Sequence, residues 1–389
     1  MASLMTTLVN TNKLGTSFFQ TKNDLQDRCS VARTETEGIF YCNNPEKVNL
    51  EDLADSGKYL TYNGVKSNGQ LYTWHRNNTP KTISSVILVY NHNAFPIKVS
   101  FTNIGLTCLQ DGNDKAAWES YYTGTKSETK EIPAQGYMSM LVQNNISKGY
   151  VFGKIARYSI TNKNTGAAAT AFFYDLAYNL SQNSGNAHAF AASDDPRDED
   201  PSSTKKNSRR RGVGNGFYNY LTIGTASKPV ELTDSRSERA ATIGGVNAQS
   251  TAYPITGDIY DSFNGQDMVI ITGGTGDKNN GSLKNNDSGY LYGSYGMQMR
   301  VTMTVKNSSN RAREIRIFFG CNPGNDNNFP VFARLDKKFY TINTPVPDGN
   351  LRDMITLGTV AAGTTQTITF DTVNLAQSAA PFYIGARLV

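Results

Sequence analysis

The chain has few residues of the kinds that catalyse reactions or bind metals. Its three histidines are His75, His92 and His188, and no two have the spacing that places a pair of metal ligands on one helix face. No Gly-x-Ser-x-Gly turn marks a catalytic serine. The sequence therefore predicts no catalytic residues, no metal ligands and no bound cofactor.

Four cysteines are present, Cys29, Cys42, Cys108 and Cys321. They form no Cys-x-x-Cys pair, so neither a zinc ribbon nor a thioredoxin-like redox site is predicted. We expect reduced thiols, because the N-terminus lacks the basic and apolar regions of a signal peptide and synthesis then takes place in a reducing compartment. The alternative is a disulfide between Cys29 and Cys42, which are close enough in sequence to close a small loop.

The strongest charge pattern lies in residues 194–216. An acidic block, Asp194–Asp200, precedes a basic block, Lys205–Arg211, and the two cancel most of each other's field. We therefore predict no nucleic-acid binding. Since these blocks have no apolar side chain to bury, we expect an exposed loop or linker with a protease-sensitive basic run, formed by Lys205, Lys206, Arg209, Arg210 and Arg211.

The composition indicates an all-β protein. Charged residues make up 18% of the chain and hydrophobic residues 38%, and there are 21 Tyr, 18 Phe and 34 Gly. A disordered chain would be richer in charge and poorer in aromatic side chains, whereas aromatic-rich strands joined by polar loops fit these numbers. No run approaches about 18 apolar residues, so we predict no membrane-spanning helix.

An internal repeat indicates two similar domains. In each half, a β-branched strand ends in Asn, a short turn leads to a second strand, and an apolar-Ala-Gly turn appears later. The matching segments are Val86–Asn91 with Thr302–Asn307, Ile97–Phe101 with Ile315–Phe319, and Glu131–Gly136 with Thr359–Gly363. Two copies of such a pattern predict two tandem antiparallel β-sandwiches of immunoglobulin-like or jelly-roll type.

The predicted domain order is an N-terminal arm (1–45), a first sandwich (46–193), the charged loop or linker (194–216) and a second sandwich (217–389). A helix is expected around Asn113–Tyr122, where Asp114 could cap Ala116 and the residues that follow.

The order of aromatic and turn residues resembles a family of Gram-positive β-sandwich proteins. The similar segments are Tyr72–Trp74, Val86–Asn91, Asp111-Gly112, Ala117–Tyr121, Tyr292–Gly296, Asn322–Gly324 and Pro381–Tyr383. The family comprises surface and spore proteins of endospore-forming Firmicutes with the stalk-domain or copper-amine-oxidase-like label. The resemblance implies a surface β-sandwich, and it implies no copper, because this chain has no corresponding ligand cluster. The missing export signal favours a spore-surface or parasporal product made in the mother cell.

These observations predict a non-enzymatic structural protein that assembles with itself into a spore-surface or parasporal layer, filament or crystal. Other spore-surface proteins are further candidate partners. Three alternatives stay open at this stage. They are a parasporal insecticidal toxin cleaved at Arg209–Arg211, a glycan-binding module with Trp74 and Trp118 in an exposed platform, and a viral jelly-roll capsid protein.

Overall fold

The structure, a computed structural model, describes residues 2–5, 28–33, 37–43, 45–56, 59–110, 112–179, 211–215, 218–243, 296, 298–321, 331–342, 351–375 and 382–389. Among the predicted features, His188 and the charged residues from Asp194 to Arg210 lie outside this set. No helix among the described residues is both long enough and apolar enough to cross a membrane.

The described chain consists mainly of strands, numbered here in chain order. The first thirteen are β1 (Ser3–Leu4), β2 (Cys29–Arg33), β3 (Gly38–Cys42), β4 (Lys47–Val48), β5 (Thr61–Val65), β6 (Asn68–Asn77), β7 (Ile83–Tyr90), β8 (Ile97–Gln110), β9 (Glu128–Ile132), β10 (Tyr137–Ile146), β11 (Tyr150–Asn162), β12 (Ala171–Asn179) and β13 (Arg211–Asn215). The last ten are β14 (Tyr218–Ile223), β15 (Val230–Leu232), β16 (Glu238–Ile243), β17 (Gln298–Asn307), β18 (Arg313–Cys321), β19 (Val331–Leu335), β20 (Lys338–Ile342), β21 (Leu351–Val360), β22 (Thr365–Asn374) and β23 (Phe382–Leu388). The α-helix, α1, is Lys115–Thr123. This content confirms the predicted all-β class.

The chain divides into two compact units. The first sandwich contains the described residues from 37 to 215, and the second contains those from 2 to 33 and from 218 to 389. In the first sandwich, the strand orders are β13-β3-β6-β11-β8-β9, with β4 also on β6, and β10-β7-β12-β5. Apolar side chains of both sheets, including Phe40, Phe101, Ile87 and Phe173, meet in one buried core.

The second sandwich repeats this topology strand for strand. Its sheets have the orders β2-β14-β17-β22-β19-β20, with β15 also on β17, and β21-β18-β23-β16. Strands β14 to β23 therefore correspond in sequence order to strands β3 to β12, including the parallel pairs β3–β6 and β14–β17. Strand β1, at the edge of β21, is an addition with no counterpart on β10 among the described residues.

Each unit is a jelly roll rather than an immunoglobulin-like sandwich. The eight consecutive strands β5 to β12 form the sheets β5-β12-β7-β10 and β6-β11-β8-β9. The chain thus crosses between the two sheets at most steps, which is the double-sheet arrangement of a jelly roll. Strands β16 to β23 have the same order in the second sandwich.

The sequence repeat is real, but its alignment in the sequence is displaced by one strand. Strand pairing matches β6 and β7 with β17 and β18, whereas the sequence comparison matched β7 and β8 with them. The displacement arises because β6 and β7 are both followed by the same type of turn, in which an asparagine side chain bonds the backbone; we call this turn an asparagine corner. Asn77, Asn91 and Asn307 each accept a hydrogen bond from the backbone N–H two residues on, and each donates to the carbonyl four residues on.

These asparagines also explain the second part of the repeat. Asn91 Nδ2 donates to the carbonyl of Ile132, and Asn307 Nδ2 donates to that of Val360, so each corner is tied to the strand end in the paired segment. Asn77 makes the equivalent bond to Ile146 at 2.9 Å. The repeated residues thus encode a buried polar joint between two hairpins.

The helix α1 is present as predicted, but Asp114 acts differently from a simple cap. Asp114 occupies the position before the first helical residue, and its side chain does not bond the helix backbone. Its Oδ2 instead accepts hydrogen bonds from Tyr72 at 2.9 Å and from the Trp118 indole at 3.1 Å. Asp114 therefore holds the helix onto β6, and Gly124 ends the helix in the left-handed conformation that glycine adopts at low cost.

The structure differs from the predicted arm and linker. Residues 1–45 do not form one separate segment, because β1 and β2 join the second sandwich while β3 is a buried strand between β13 and β6 of the first. The reason is the apolar run Ile39–Tyr41, which packs into the core. Within the predicted linker 194–216, residues 211–215 form β13, which pairs with β3. Arg211 is thus a strand residue, while Lys205, Lys206, Arg209 and Arg210 lie outside the described residues.

Candidate functional site

The first sandwich buries a cluster of polar side chains between its two sheets. Cys42, His75 and Lys154 come from the adjacent strands β3, β6 and β11 of one sheet, while Ser85 and Asp175 come from β7 and β12 of the other. Cys42 and Lys154 both lie opposite Thr73 in register, and His75 is two residues further along β6, on the same face. All five side chains are fully buried. We call them the cross-sheet cluster.

Asp175 is the centre of the cross-sheet cluster. Its Oδ2 lies 2.9 Å from Nε2 of His75, and its Oδ1 lies 3.9 Å from Nζ of Lys154. Oδ1 accepts no hydrogen bond within the described part of the chain. Lys154 Nζ donates to the hydroxyl of Ser85 and lies 5.9 Å from the centre of the Phe152 ring. The lysine therefore reaches across the core to two groups of the opposite sheet.

The hydrogen bonds of His75 restrict its protonation. Nδ1 lies 2.7 Å from the carbonyl of Pro45, which can only accept, so Nδ1 carries a proton. Nε2 then either donates a second N–H to an ionised Asp175 or accepts the proton of a neutral one. In both cases one proton lies between His75 and Asp175, and the imidazole is held at both ends.

Burial and neighbouring charges both change the pKa values of Lys154 and Asp175. Burial lowers the pKa of Lys154, and the nearby Asp175 opposes this effect only in part. Burial by itself raises the pKa of Asp175, but the hydrogen bond and charge of His75 and the charge of Lys154 outweigh it, so the pKa is lowered. The cross-sheet cluster thus combines a lysine that loses its proton easily with a hydrogen-bonded carboxylate.

The second sandwich shows that the jelly roll does not need these polar groups. Asn77 and Asn307 end equivalent strands, and the pairing registers carry this alignment across both sheets. Every position of the cross-sheet cluster then has a buried apolar counterpart: Ile223 for Cys42, Val305 for His75, Ile315 for Ser85, Ile368 for Lys154 and Ala386 for Asp175. Buried ion pairs are often no more stabilising than apolar residues of similar volume. The cluster is therefore a specific property of the first sandwich rather than a requirement of the fold.

Three members of the cross-sheet cluster could be considered as metal ligands. One donor atom each from Cys42, His75 and Asp175 lies within 4.8 Å of the others. The arrangement fits a metal poorly, because both ring nitrogens of His75 already have hydrogen-bond partners and the amine of Lys154 lies beside Asp175. A cation would have to replace the His75–Asp175 hydrogen bond. We assign no metal to these residues.

The outer face of the sheet β10-β7-β12-β5 carries a continuous row of aromatic side chains. Tyr90 stacks on Tyr137 with ring centres 4.4 Å apart, and Tyr62 stacks on Tyr174 at 4.3 Å and on Phe172 at 5.1 Å. Tyr62, Tyr90, Tyr137 and Phe172 are only partly buried. This face is apolar with hydroxyl groups at its surface.

The structure does not support a tryptophan platform for glycans. Trp118, on the inner side of α1, is fully buried, and Trp74 is only 8% exposed. The reason is that both rings lie among strands and the helix of the core, where Trp118 stacks on Tyr72. Of the histidines, His75 belongs to the cross-sheet cluster, whereas His92 is exposed and lies 3.1 Å from the hydroxyl of Thr170.

The disulfide between Cys29 and Cys42 stays a prediction: Cys42 is buried on β3 of the first sandwich, and Cys29 lies on β2 of the second. We expect thiol reagents to label Cys108, which is exposed, in the native protein and to label Cys42 only after denaturation. Burial raises the pKa of the Cys108 thiol, so labelling is best carried out at mildly alkaline pH. Peptide mapping after alkylation measures both sites. A Cys42 thiol that resists alkylation in denatured, unreduced protein would indicate a disulfide after all.

The cross-sheet cluster was missed in the sequence, although a signal for it exists. Lys154 and Asp175 each follow a run of mainly apolar or aromatic residues, such as Phe172–Tyr174 before Asp175, and His75 follows Leu71–Trp74. A charged residue within such a run is expected to be buried and paired. The sequence does not reveal that three such residues, up to 100 positions apart, meet.

No protein-family model matches the chain, and no curated protein matches it. Solved structures give low scores: oxalate decarboxylase from Bacillus subtilis is 8% identical over 85% of this chain and 68% of its own, with a TM-score of 0.10. A multicopper oxidase from Campylobacter jejuni is 9% identical over 78% and 48% of the two chains, with a TM-score of 0.08. Fet3p, a multicopper oxidase that functions in iron import, is 8% identical over 87% and 54%, with a TM-score of 0.11. These likenesses are too weak to show a fold or a function, and the resemblance to stalk-domain proteins stays a prediction.

Proposed function

We propose that this chain is a non-enzymatic structural protein that assembles with itself into an ordered layer or shell. The observation that carries the proposal is the pairing of β1 with the edge of β21. Ser3 and Leu4 pair with Thr356 and Ile355, and the Met5 N–H donates to the Met354 carbonyl at 2.9 Å. An extended N-terminal segment thus joins the edge of a sheet through backbone hydrogen bonds.

Such an edge can accept the same segment from a second copy. Strand addition depends on main-chain hydrogen bonds and therefore does not distinguish a chain's own segment from that of a neighbour. Exchange of an identical element between protomers is a low-cost route to assembly. Strand β1 is also the one strand of the described second sandwich that has no counterpart in the repeated topology. The assembly therefore joins copies through residues 1–5 and the β21 edge.

The equivalent edge of the first sandwich is built differently. Strand β10 has two register shifts against β7, as β21 has against β18, but Leu141 and Asn145 of β10 have positive φ values of 52° and 59°. The Leu141 N–H donates to a side-chain carboxylate oxygen of Glu128, at the start of β9. Bulges and charged side chains are devices by which edges avoid pairing.

The setting of the assembly follows from the sequence. We place it at the spore surface or in a parasporal inclusion, with this chain as its main partner and with other spore-surface components as further ones. A virus capsid is the second candidate, and the tandem jelly-roll topology favours it, since double-sheet jelly rolls are a common architecture of capsid proteins. Both settings require the same self-assembly.

The test is a change at Met5. Met5→Pro removes the N–H that bonds Met354, so we expect the variant to stay folded by circular dichroism and to lose ordered assemblies in electron microscopy at rising concentration. Met5→Leu keeps the N–H and an apolar side chain, and it should assemble like the unmodified chain. Deletion of residues 2–5 should reproduce the effect of Met5→Pro.

Two results would overturn the proposal. If Met5→Pro and the deletion form the same lattice or filament as the unmodified chain, residues 1–5 are not the connector. If the unmodified chain remains monomeric at every concentration and instead binds glycans, the aromatic face is the functional surface and the structural role is wrong.

A further inference from the structure

We propose that Lys154 and Asp175 become joined by an intramolecular amide bond, which links the two sheets of the first sandwich covalently. The proposal rests on the juxtaposition of a buried amine, a buried carboxyl group and a proton donor in one apolar site. It goes beyond the proposed assembly and does not depend on it, because both reacting groups belong to the same chain.

The geometry places the reacting groups close to a productive approach. Reacting atoms in near-attack arrangements are roughly 3–3.5 Å apart. Lys154 Nζ is 3.9 Å from Oδ1 of Asp175, and the reaction joins Nζ to the carbon that carries this oxygen. Ser85 accepts a hydrogen bond from Nζ and holds the amine on the side of the opposite sheet. Besides the amine, the carboxyl group of Asp175 is contacted by His75 at Oδ2 and by the thiol of Cys42.

The surroundings bury both reacting groups. Phe152, Ile83 and Ala177 belong to the apolar cluster that also contains Cys42, and Lys154 and Asp175 are both fully buried. Burial lowers the pKa of Lys154, so the amine is available in its uncharged, nucleophilic form. Neighbouring side chains hold both groups in place, so the entropy cost of bringing them together is lower than in solution. Burial also keeps bulk water away from the reacting groups.

The reaction balances with the groups present. The lone pair of the uncharged Lys154 amine attacks the carboxyl carbon of Asp175, which forms the C–N bond. The bond from that carbon to Oδ2 then breaks, and Oδ2 leaves as water with one proton from Nζ and one from Nε2 of His75. The products are an amide, one water molecule and a neutral His75 that keeps its Nδ1 proton on the Pro45 carbonyl. No oxidant or activating molecule is needed.

The second sandwich shows what occupies the positions of Lys154 and Asp175 when no such bond can form. With Ile368 and Ala386 in the equivalent positions, its jelly roll closes without polar side chains at these two sites. A buried ion pair seldom improves on apolar packing, so stability alone gives no reason for Lys154 and Asp175 to be charged residues. A covalent link between β11 and β12 would explain why a lysine and an aspartate occupy these positions, because apolar residues cannot join the two sheets by a bond.

The test is the mass of the intact, full-length protein after denaturation and reduction. We expect a mass lower than that of the sequence by one water molecule. After trypsin digestion, cleavage should be absent at Lys154, and a branched peptide should join the segment around Lys154 to the segment that contains Asp175. A chain with the full sequence mass that is cleaved at Lys154 overturns the proposal, and this measurement needs no variant to fold.

Variants identify the groups that react. Lys154→Arg keeps a positive charge but lacks the amine, so it should have its full sequence mass. Asp175→Asn should give the same branched peptide with loss of ammonia instead of water. A loss of water that persists in Lys154→Arg, or that maps to another segment, contradicts the bond. His75→Gln should give incomplete linkage, and complete linkage in this variant would overturn the role of His75 as proton donor.

Discussion

Replacement of Asp175 by alanine is expected to lower the free energy of unfolding of the first sandwich by about 3–5 kcal/mol, the usual cost of leaving a buried charge without its partner. The carboxyl group is the shared partner of His75 and Lys154, which are both fully buried. The loss is expected in either covalent state, since the substitution removes the ion pair from the unlinked protein and the amide from the linked one. Urea denaturation of the variant and the unmodified chain measures the difference.

The matched control replaces the cross-sheet cluster by the residues of the second sandwich. The triple variant His75→Val, Lys154→Ile, Asp175→Ala carries the counterparts Val305, Ile368 and Ala386. It removes every charged side chain of the cross-sheet cluster, so we expect it to recover most of the stability lost in Asp175→Ala alone.

Two outcomes would contradict this interpretation. A stability of Asp175→Ala equal to that of the unmodified chain would mean that His75 and Lys154 do not depend on the carboxyl group. A triple variant less stable than the single one would mean that the first sandwich requires the polar side chains for its packing, although the second does not.

The fold could be predicted from the sequence to the level of two β-sandwiches. Strands such as β7 and β17 are runs of β-branched and apolar residues, and their pattern needs only local information. The place of residues 38–42 in the first sandwich is harder to predict, because β3 is short and its partners β6 and β13 lie far away in sequence. A buried strand of five residues has no period that distinguishes it from a short apolar segment of an extended arm.

The cross-sheet cluster could not be predicted for a related reason. Its members meet only because two sheets pack together. Strands β6 and β11 of one sheet face β7 and β12 of the other, and β6 and β7 are far from β11 and β12 in the sequence. Pairing across the core is a tertiary property that no spacing along the chain encodes. Even so, the duplicated topology makes the cluster visible once the two halves are aligned by strand.

The asparagine corners, formed at Asn77, Asn91 and Asn307, are the polar feature that the sequence indicates best. Their replacement is expected to have the second large effect on stability. Asn307 is fully buried and donates to the carbonyls of Arg311 and Val360 at 2.9 and 2.8 Å. Its Oδ1 accepts from the N–H of Ser309 at 3.1 Å and from its hydroxyl at 2.6 Å. One side chain thus satisfies four polar groups at the junction of two hairpins.

Replacement of Asn307 by alanine is expected to lower the free energy of unfolding of the second sandwich by roughly 3 kcal/mol, since each buried polar group left without a partner costs about 1–3 kcal/mol. Asn77→Ala should have a similar effect on the first sandwich, because Asn77 makes the equivalent bonds to Lys81, Ile146 and Thr79. Urea denaturation and hydrogen exchange of the strands joined at each corner measure the two effects separately.

Two further variants separate hydrogen bonding from volume. Asn307→Asp keeps the size and Oδ1 but turns a second oxygen towards the carbonyls of Arg311 and Val360, so it should destabilise at least as much as alanine. Asn164→Ala, at an exposed turn, should change the stability by no more than about 0.5 kcal/mol. If Asn307→Asp were as stable as the unmodified chain, the donor bonds would contribute little, and the repeated asparagine would have to be explained by the turn conformation alone.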